Sequence, residues 1–175
     1  MIGDIINAGY TAYKDVVASS QRVQGLKLSQ QVLLRSYYFE VCLNLDLLSV
    51  VEFDKLDSLK VYSPSVLVML SSLETQVAAA IFLSDDETSV KLYEFLSLTG
   101  NVEETSEESE KTEQIDKSVL DAIRFTLQKI TVLQKLSAIK SEPEADILKT
   151  MRLKVRMNNI KEHLLFIRKQ IESRL

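Results

Sequence analysis

The residues best suited to chemistry lie on one line near the C-terminus. Lys149, Arg152, Arg156, Asn159 and His163 follow one another at steps of three and four, the spacing that puts side chains on one face of an α-helix. Arginine is permanently charged and grips a phosphate through two N–H groups, whereas histidine titrates near neutral pH. Arg156 and His163 stand two turns apart on the same side. Such a pair can hold a phosphate and move a proton without a metal. Used for binding alone, Lys149, Arg152, Arg156 and His163 make a candidate anion-binding surface.

The run Arg156-Met157-Asn158-Asn159-Ile160-Lys161-Glu162-His163 resembles the motif of the HEPN superfamily, in which four to six residues separate an arginine from a histidine. The resemblance implies a small bundle of four or five helices and a metal-independent ribonuclease. In such an enzyme Arg156 and His163 of two protomers would meet across a dimer interface. The arginine would stabilise the phosphate in flight, and the histidine would move the proton of the 2′-hydroxyl. The plainer reading of the same residues is a solvated basic stripe that pairs with acids or with a partner.

A second group of polar residues sits among apolar ones. Glu40 and Asn44 are one helical turn apart beside Val41, Leu45 and Leu48, and Glu74 shares a line with Leu67, Ala78 and Ile81. Carboxylates near a helical core suggest a metal site, but a ferritin-like site needs Glu-x-x-His pairs on two helices, and His163 is the only histidine. The favoured reading is a polar cluster, Glu40, Asn44 and Glu74, that fixes helix register. No metal and no cofactor are expected. Cys42 reads as a small buried hydrophobe, Tyr37, Tyr38 and Phe39 as packing residues, and Asp85, Asp86 and Glu87 as acids at a helix start. The sequence holds no phosphate-cradling glycine loop and no nucleophile elbow.

Composition narrows the elements that must carry these residues. The 175 residues include only 4 Gly and 2 Pro, which disfavours a turn-rich sandwich or barrel, and 46% hydrophobic residues, which disfavours disorder. Charge is segregated: residues 1–100 carry net −5, residues 101–116 net −6 and residues 117–175 net +7, for −4 overall. The net acidity argues against a generic nucleic-acid binder, so nucleic acid remains an unfavoured partner. The basic third is expected to face the acidic parts of the same molecule or of a second copy.

Apolar spacing predicts helices throughout. One seam runs from Ile2 to Val51, with a bend near Gly25. Another begins at Pro64, a residue suited to the first helical position, and runs through Val66, Leu70, Leu73, Val77 and Ala80. Ser84 and Glu87 form a capping box for a helix that stops near Gly100. Residues 114–140 and 143–173 supply the last two helices, the second with the stripe Leu153, Met157, Ile160, Leu164, Ile167 and Ile171. Residues 101–113 have almost no apolar side chains and dense like charge, which predicts a flexible acidic linker. The expected fold is therefore all-α: an antiparallel four-helix bundle over 25–175, with an N-terminal helical extension over 1–24.

An extension of this kind must cover its apolar seam, and a second copy covers it at least cost, which predicts a homodimer. The functional expectation is a non-enzymatic module for protein–protein contact or oligomerisation. The alternatives are the HEPN-like ribonuclease and an anion or nucleic-acid binder using the basic last helix. No transmembrane segment is expected, and the lone Cys42 with no secretory signal points to the cytoplasm.

Overall fold

In a computed structural model of the chain, residues 26–50, 64–83, 94–137 and 152–174 are described. The expected extension at 1–24, the capping box at 84–87 and Lys149 lie outside these residues. The elements in order are α1 (Leu26–Ser49), α2 (Pro64–Ser72), α3 (Gln76–Leu83), β1 (Thr99–Thr105), β2 (Thr112–Ser118), α4 (Val119–Ser137) and α5 (Leu153–Glu172).

Helix α5 is the axis of the packing. It lies against α4 and α1 on one side and against β1 on the other, while α2 and α3 both pack on α4 and α3 also reaches α1. The stripe Leu153, Met157, Ile160, Leu164, Ile167 and Ile171 is buried along its whole length. It joins Tyr37, Val41 and Leu48 of α1, Leu70 of α2, Ile81 of α3 and Ile123, Ile130 and Leu133 of α4 in one core. Burying each such side chain contributes about 2 kcal/mol, so the stripe alone outweighs any single surface contact in the molecule.

The all-α four-helix bundle expected from the sequence is not what forms. The architecture is mixed, with a two-stranded antiparallel sheet, and it departs from the expectation at two places. The first is the segment read as a flexible acidic linker. Residues 101–113 belong to a hairpin whose register pairs Thr99 with Ser118, Val102 with Ile115 and Thr105 with Thr112. Its turn is built by serine side chains. The Ser106 hydroxyl accepts the N–H groups of Glu108 and Ser109, both at 3.3 Å, and Ser106 N–H donates to the Lys111 carbonyl at 2.9 Å. Glu110 closes the turn in the left-handed region, at φ 57°. The linker expectation rested on the shortage of apolar side chains, and Val102 is indeed the only residue of β1 that is buried. An isolated hairpin this polar is marginal in water. Its fixed structure comes from long-range contacts to α5.

The second departure is a break within residues 64–83. One stripe was expected to run unbroken through Leu73 and Val77 to Ala80. Instead the helix stops at Ser72 and restarts at Gln76, and the buried residues after the break are Ala78 and Ile81, whereas Ala80 is exposed. Neither glycine nor proline causes this. Side chains from other helices take up the backbone groups that the break exposes.

The start of α4 is also set locally. Ser118 caps it: the Ser118 hydroxyl accepts the Asp121 N–H at 3.0 Å and donates to the Asp121 carboxylate at 2.7 Å. This satisfies one of the unpaired donors of the first turn and places an acid near the positive end of the helix. The cap ends the strand and begins the helix at residue 119, five residues after the start that apolar spacing suggested.

Candidate functional site

The basic line of α5 lies under the acidic hairpin. β1 runs antiparallel to α5, and its alternate residues Gly100, Val102 and Glu104 face the helix. Gly100 packs so tightly that a Cβ there would sit 2.9 Å from Cε2 of Phe166. One turn back along α5, Oε2 of Glu104 lies 3.8 Å from Nε2 of His163. The side chain of Asn159 then reads the backbone of Thr105, accepting its N–H and donating to its carbonyl, both at 2.8 Å. In the turn, Glu107 pairs with Arg156 and also takes Lys129 Nζ of α4 at 3.1 Å. Glu110 meets Arg152 at 3.1 Å, and the Glu108 carbonyl lies 3.4 Å from the same guanidinium.

Three acids three residues apart, Glu104, Glu107 and Glu110, thus match His163, Arg156 and Arg152 in antiparallel order. Among the described residues, Glu110 and Arg152 are also the two non-glycine residues with positive φ. The left-handed conformation costs about 1–2 kcal/mol in an ordinary residue, so these two strained positions lie at opposite ends of one ion pair.

His163 is the most enclosed of these side chains. It is fully buried and stacks on Phe125 of α4, with ring centroids 3.9 Å apart and 9° between planes. Nδ1 lies 2.8 Å from the Asn159 carbonyl. A carbonyl only accepts, so Nδ1 carries the hydrogen and Nε2 of the neutral ring presents a lone pair. That lone pair faces Oε2 of Glu104, and both atoms are buried without a hydrogen-bond partner. Burial holds the ring below the ordinary histidine range, and Lys117 adds to this. The Asn159 carbonyl and Glu104 oppose it. Lys117 Nζ sits 3.3 Å from the same Glu104 oxygen, so the carboxylate already has a cation.

The polar cluster Glu40, Asn44 and Glu74 is brought together at the break between α2 and α3. Glu40 is buried, and its carboxylate accepts the Val77 N–H at 2.6 Å and the Ala78 N–H at 3.0 Å. It therefore caps α3 from a different helix, at the end where the dipole favours a negative charge. Asn44 holds residue 74 by its backbone, donating to the Glu74 carbonyl and accepting its N–H, both at 2.7 Å. Gln134 of α4 donates to the Leu73 carbonyl. Burial pushes the Glu40 carboxyl up to about 7 against the pull of the two N–H donors. The cluster fixes backbone, and Glu74 enters through its main chain. Among the described residues, no group of three or more His, Cys, Asp and Glu is arranged to hold a metal.

Asn44 and Asn159 are thus two buried asparagines in the same role. Each closes on the N–H and C=O of a single residue as a neighbouring strand would.

Sequence reasoning brought together Arg152, Arg156, Asn159 and His163 but not their partners. Glu104, Thr105, Glu107, Glu110, Lys117, Phe125 and Lys129 were missed. The available signal was charge: acids at steps of three in the segment of net −6, and bases at steps of three and four in the third of net +7. Among the described residues no helix is long and apolar enough to cross a membrane. No protein-family profile, curated protein or solved structure matches the chain.

Proposed function

We propose that this chain works by binding another protein, a second copy of itself being the expected partner, and does not catalyse a reaction. One observation carries this reading: the two residues best suited to catalysis are used to hold the chain's own hairpin. His163 is closed off from solvent, and Arg156 is paired with Glu107 with 19% of its side chain exposed. A ribonuclease needs both groups open to a phosphate. Large apolar side chains meanwhile remain outside, with Phe39 at 49%, Val68 at 63% and Val132 at 41% exposure on three different helices. Aromatic and aliphatic side chains in such positions are the usual anchors of protein contacts.

The test is the mass of the full chain in solution by sedimentation equilibrium, run beside incubation with RNA in a chelating buffer. The proposal expects a mass near twice 19.9 kDa and intact RNA. A monomer at every concentration removes the self-association reading. RNA cleavage that disappears in His163→Ala replaces the whole proposal with the ribonuclease.

A further inference from the structure

We propose that the hairpin of residues 99–118 is a proton-released cover over the Arg152, Arg156 and His163 line of α5, with Nε2 of His163 as the atom that takes the proton. An imperfectly satisfied contact lies at the centre of the cover. The Nε2 lone pair and Oε2 of Glu104 face each other at 3.8 Å, too far for a hydrogen bond; Nε2 has no other partner, and Oε2 has the Lys117 ammonium at 3.3 Å. The ring cannot turn to improve this, because Nδ1 is held by the Asn159 carbonyl and one face is stacked on Phe125.

A proton arriving from solvent adds to the Nε2 lone pair and leaves a cationic ring with two N–H groups. The carboxylates are unchanged. With the hairpin closed, that cation is buried and its nearest acceptor is already shared with Lys117. With the hairpin open, water solvates it. The closed form therefore binds the proton more weakly than the open form, and by linkage protons favour opening. The lowered titration of the closed ring has the same sign.

The charged groups around the ring come from every neighbouring element. β1 brings Glu104, and β2 brings Lys117, which opposes the proton. α4 brings Phe125, with Lys117 and Lys129 within 6 Å of its ring centre at 5.8 and 5.5 Å. α1 packs on the other flank of α5, where Tyr38 reaches Glu172 at 2.9 Å. On α5 itself, Glu162 is held above the ordinary carboxylate range by burial and then by the negative charge of Glu103 of β1. Its protonation favours closing, so it works against His163. The histidine contribution is the difference between the wild type and a chain that lacks the ring.

The experiment uses the full chain, whose single histidine gives one unambiguous ring signal. The ring is titrated by NMR, and amide exchange over residues 99–118, corrected for intrinsic rate, is measured from about pH 7.5 to about pH 5.5, in the wild type, His163→Gln and Glu104→Gln. The ring is expected to be the Nδ1–H tautomer and to titrate below 6.5. Hairpin opening in the wild type should rise toward tenfold per pH unit below that value relative to His163→Gln, the slope for one proton. Glu104→Gln removes the carboxylate that favours the charged ring, so the ring should titrate lower still. A ring titrating at or above 6.5 overturns the proposal, as does hairpin opening with the same pH dependence in the wild type and His163→Gln. If His163→Gln does not fold, the ring titration in the wild type and in Glu104→Gln decides alone.

Discussion

Replacing Asn159 with alanine tests the docking of the hairpin through its most directional contact. The side chain makes two hydrogen bonds to Thr105, each 2.8 Å long, and is itself buried. A protein hydrogen bond contributes about 0.5–1.5 kcal/mol net, so the pair contributes about 1–3 kcal/mol. Thr105 is half-buried, so its freed N–H and C=O can recover part of this with water. The expected loss is therefore about 2 kcal/mol, or roughly 4–8 °C in melting temperature for a chain of this size. Urea unfolding reads the global loss, and amide exchange of residues 99–118 reads where it falls.

Asn44→Ala is the matched control, with the same two-bond geometry at 2.7 Å to Glu74. It should lower global stability by a similar amount and leave hairpin exchange relative to global unfolding unchanged. If Asn159→Ala leaves hairpin exchange unchanged as well, the hairpin is not held by this residue and the reasoning fails.

Three further outcomes follow from single contacts. Glu40 is raised from 4.5 to about 7 in the folded chain, so folding favours its protonated form. Its stabilising effect is complete below pH 4.5 and is lost as pH rises through about 7, about 3 kcal/mol in all. Urea unfolding of Glu40→Gln should lack that component, and an unchanged pH dependence would contradict the assignment. Gly100→Ala puts a methyl group 2.9 Å from the Phe166 ring and should cost about 1–3 kcal/mol in thermal or urea unfolding. Phe166→Leu in the same chain should cost less than the two single changes added together, and strict additivity would count against the clash. The Tyr37 hydroxyl is buried near Thr126 without a hydrogen bond that closes on it. Tyr37→Phe should therefore be neutral or stabilising by up to about 1 kcal/mol, and a loss of 2 kcal/mol or more would contradict an unpaired hydroxyl.

The parts of the fold legible in the sequence are those whose cause is local. The stripe from Leu153 to Ile171 has helical period and large side chains, and it is the buried face of α5. Pro64 marks the first residue of α2 because it needs no N–H there. The hairpin was illegible because its residues, read alone, bury only Val102. What orders them lies about 50 residues away in α5, in Asn159, Arg156 and His163. The break at 73–75 was illegible for the same reason, since Asn44 and Glu40 supply its hydrogen bonds from 30 and 38 residues upstream. The capping serine at 118 with Asp121 three residues on was a local signal, and it could have placed the start of α4. For the site, residue type and spacing found the basic half. The acidic half was dismissed with the linker, although the opposed charges of the two segments already predicted that they should meet.

The account turns on residues 101–113 being an ordered hairpin closed on α5. Proton–proton NMR contacts test this most directly. Cross-strand contacts pairing Val102 with Ile115 and Thr105 with Thr112 are predicted, together with contacts from the Asn159 side-chain amide to the Thr105 N–H. Random-coil shifts across 101–113 with no such contacts would contradict it.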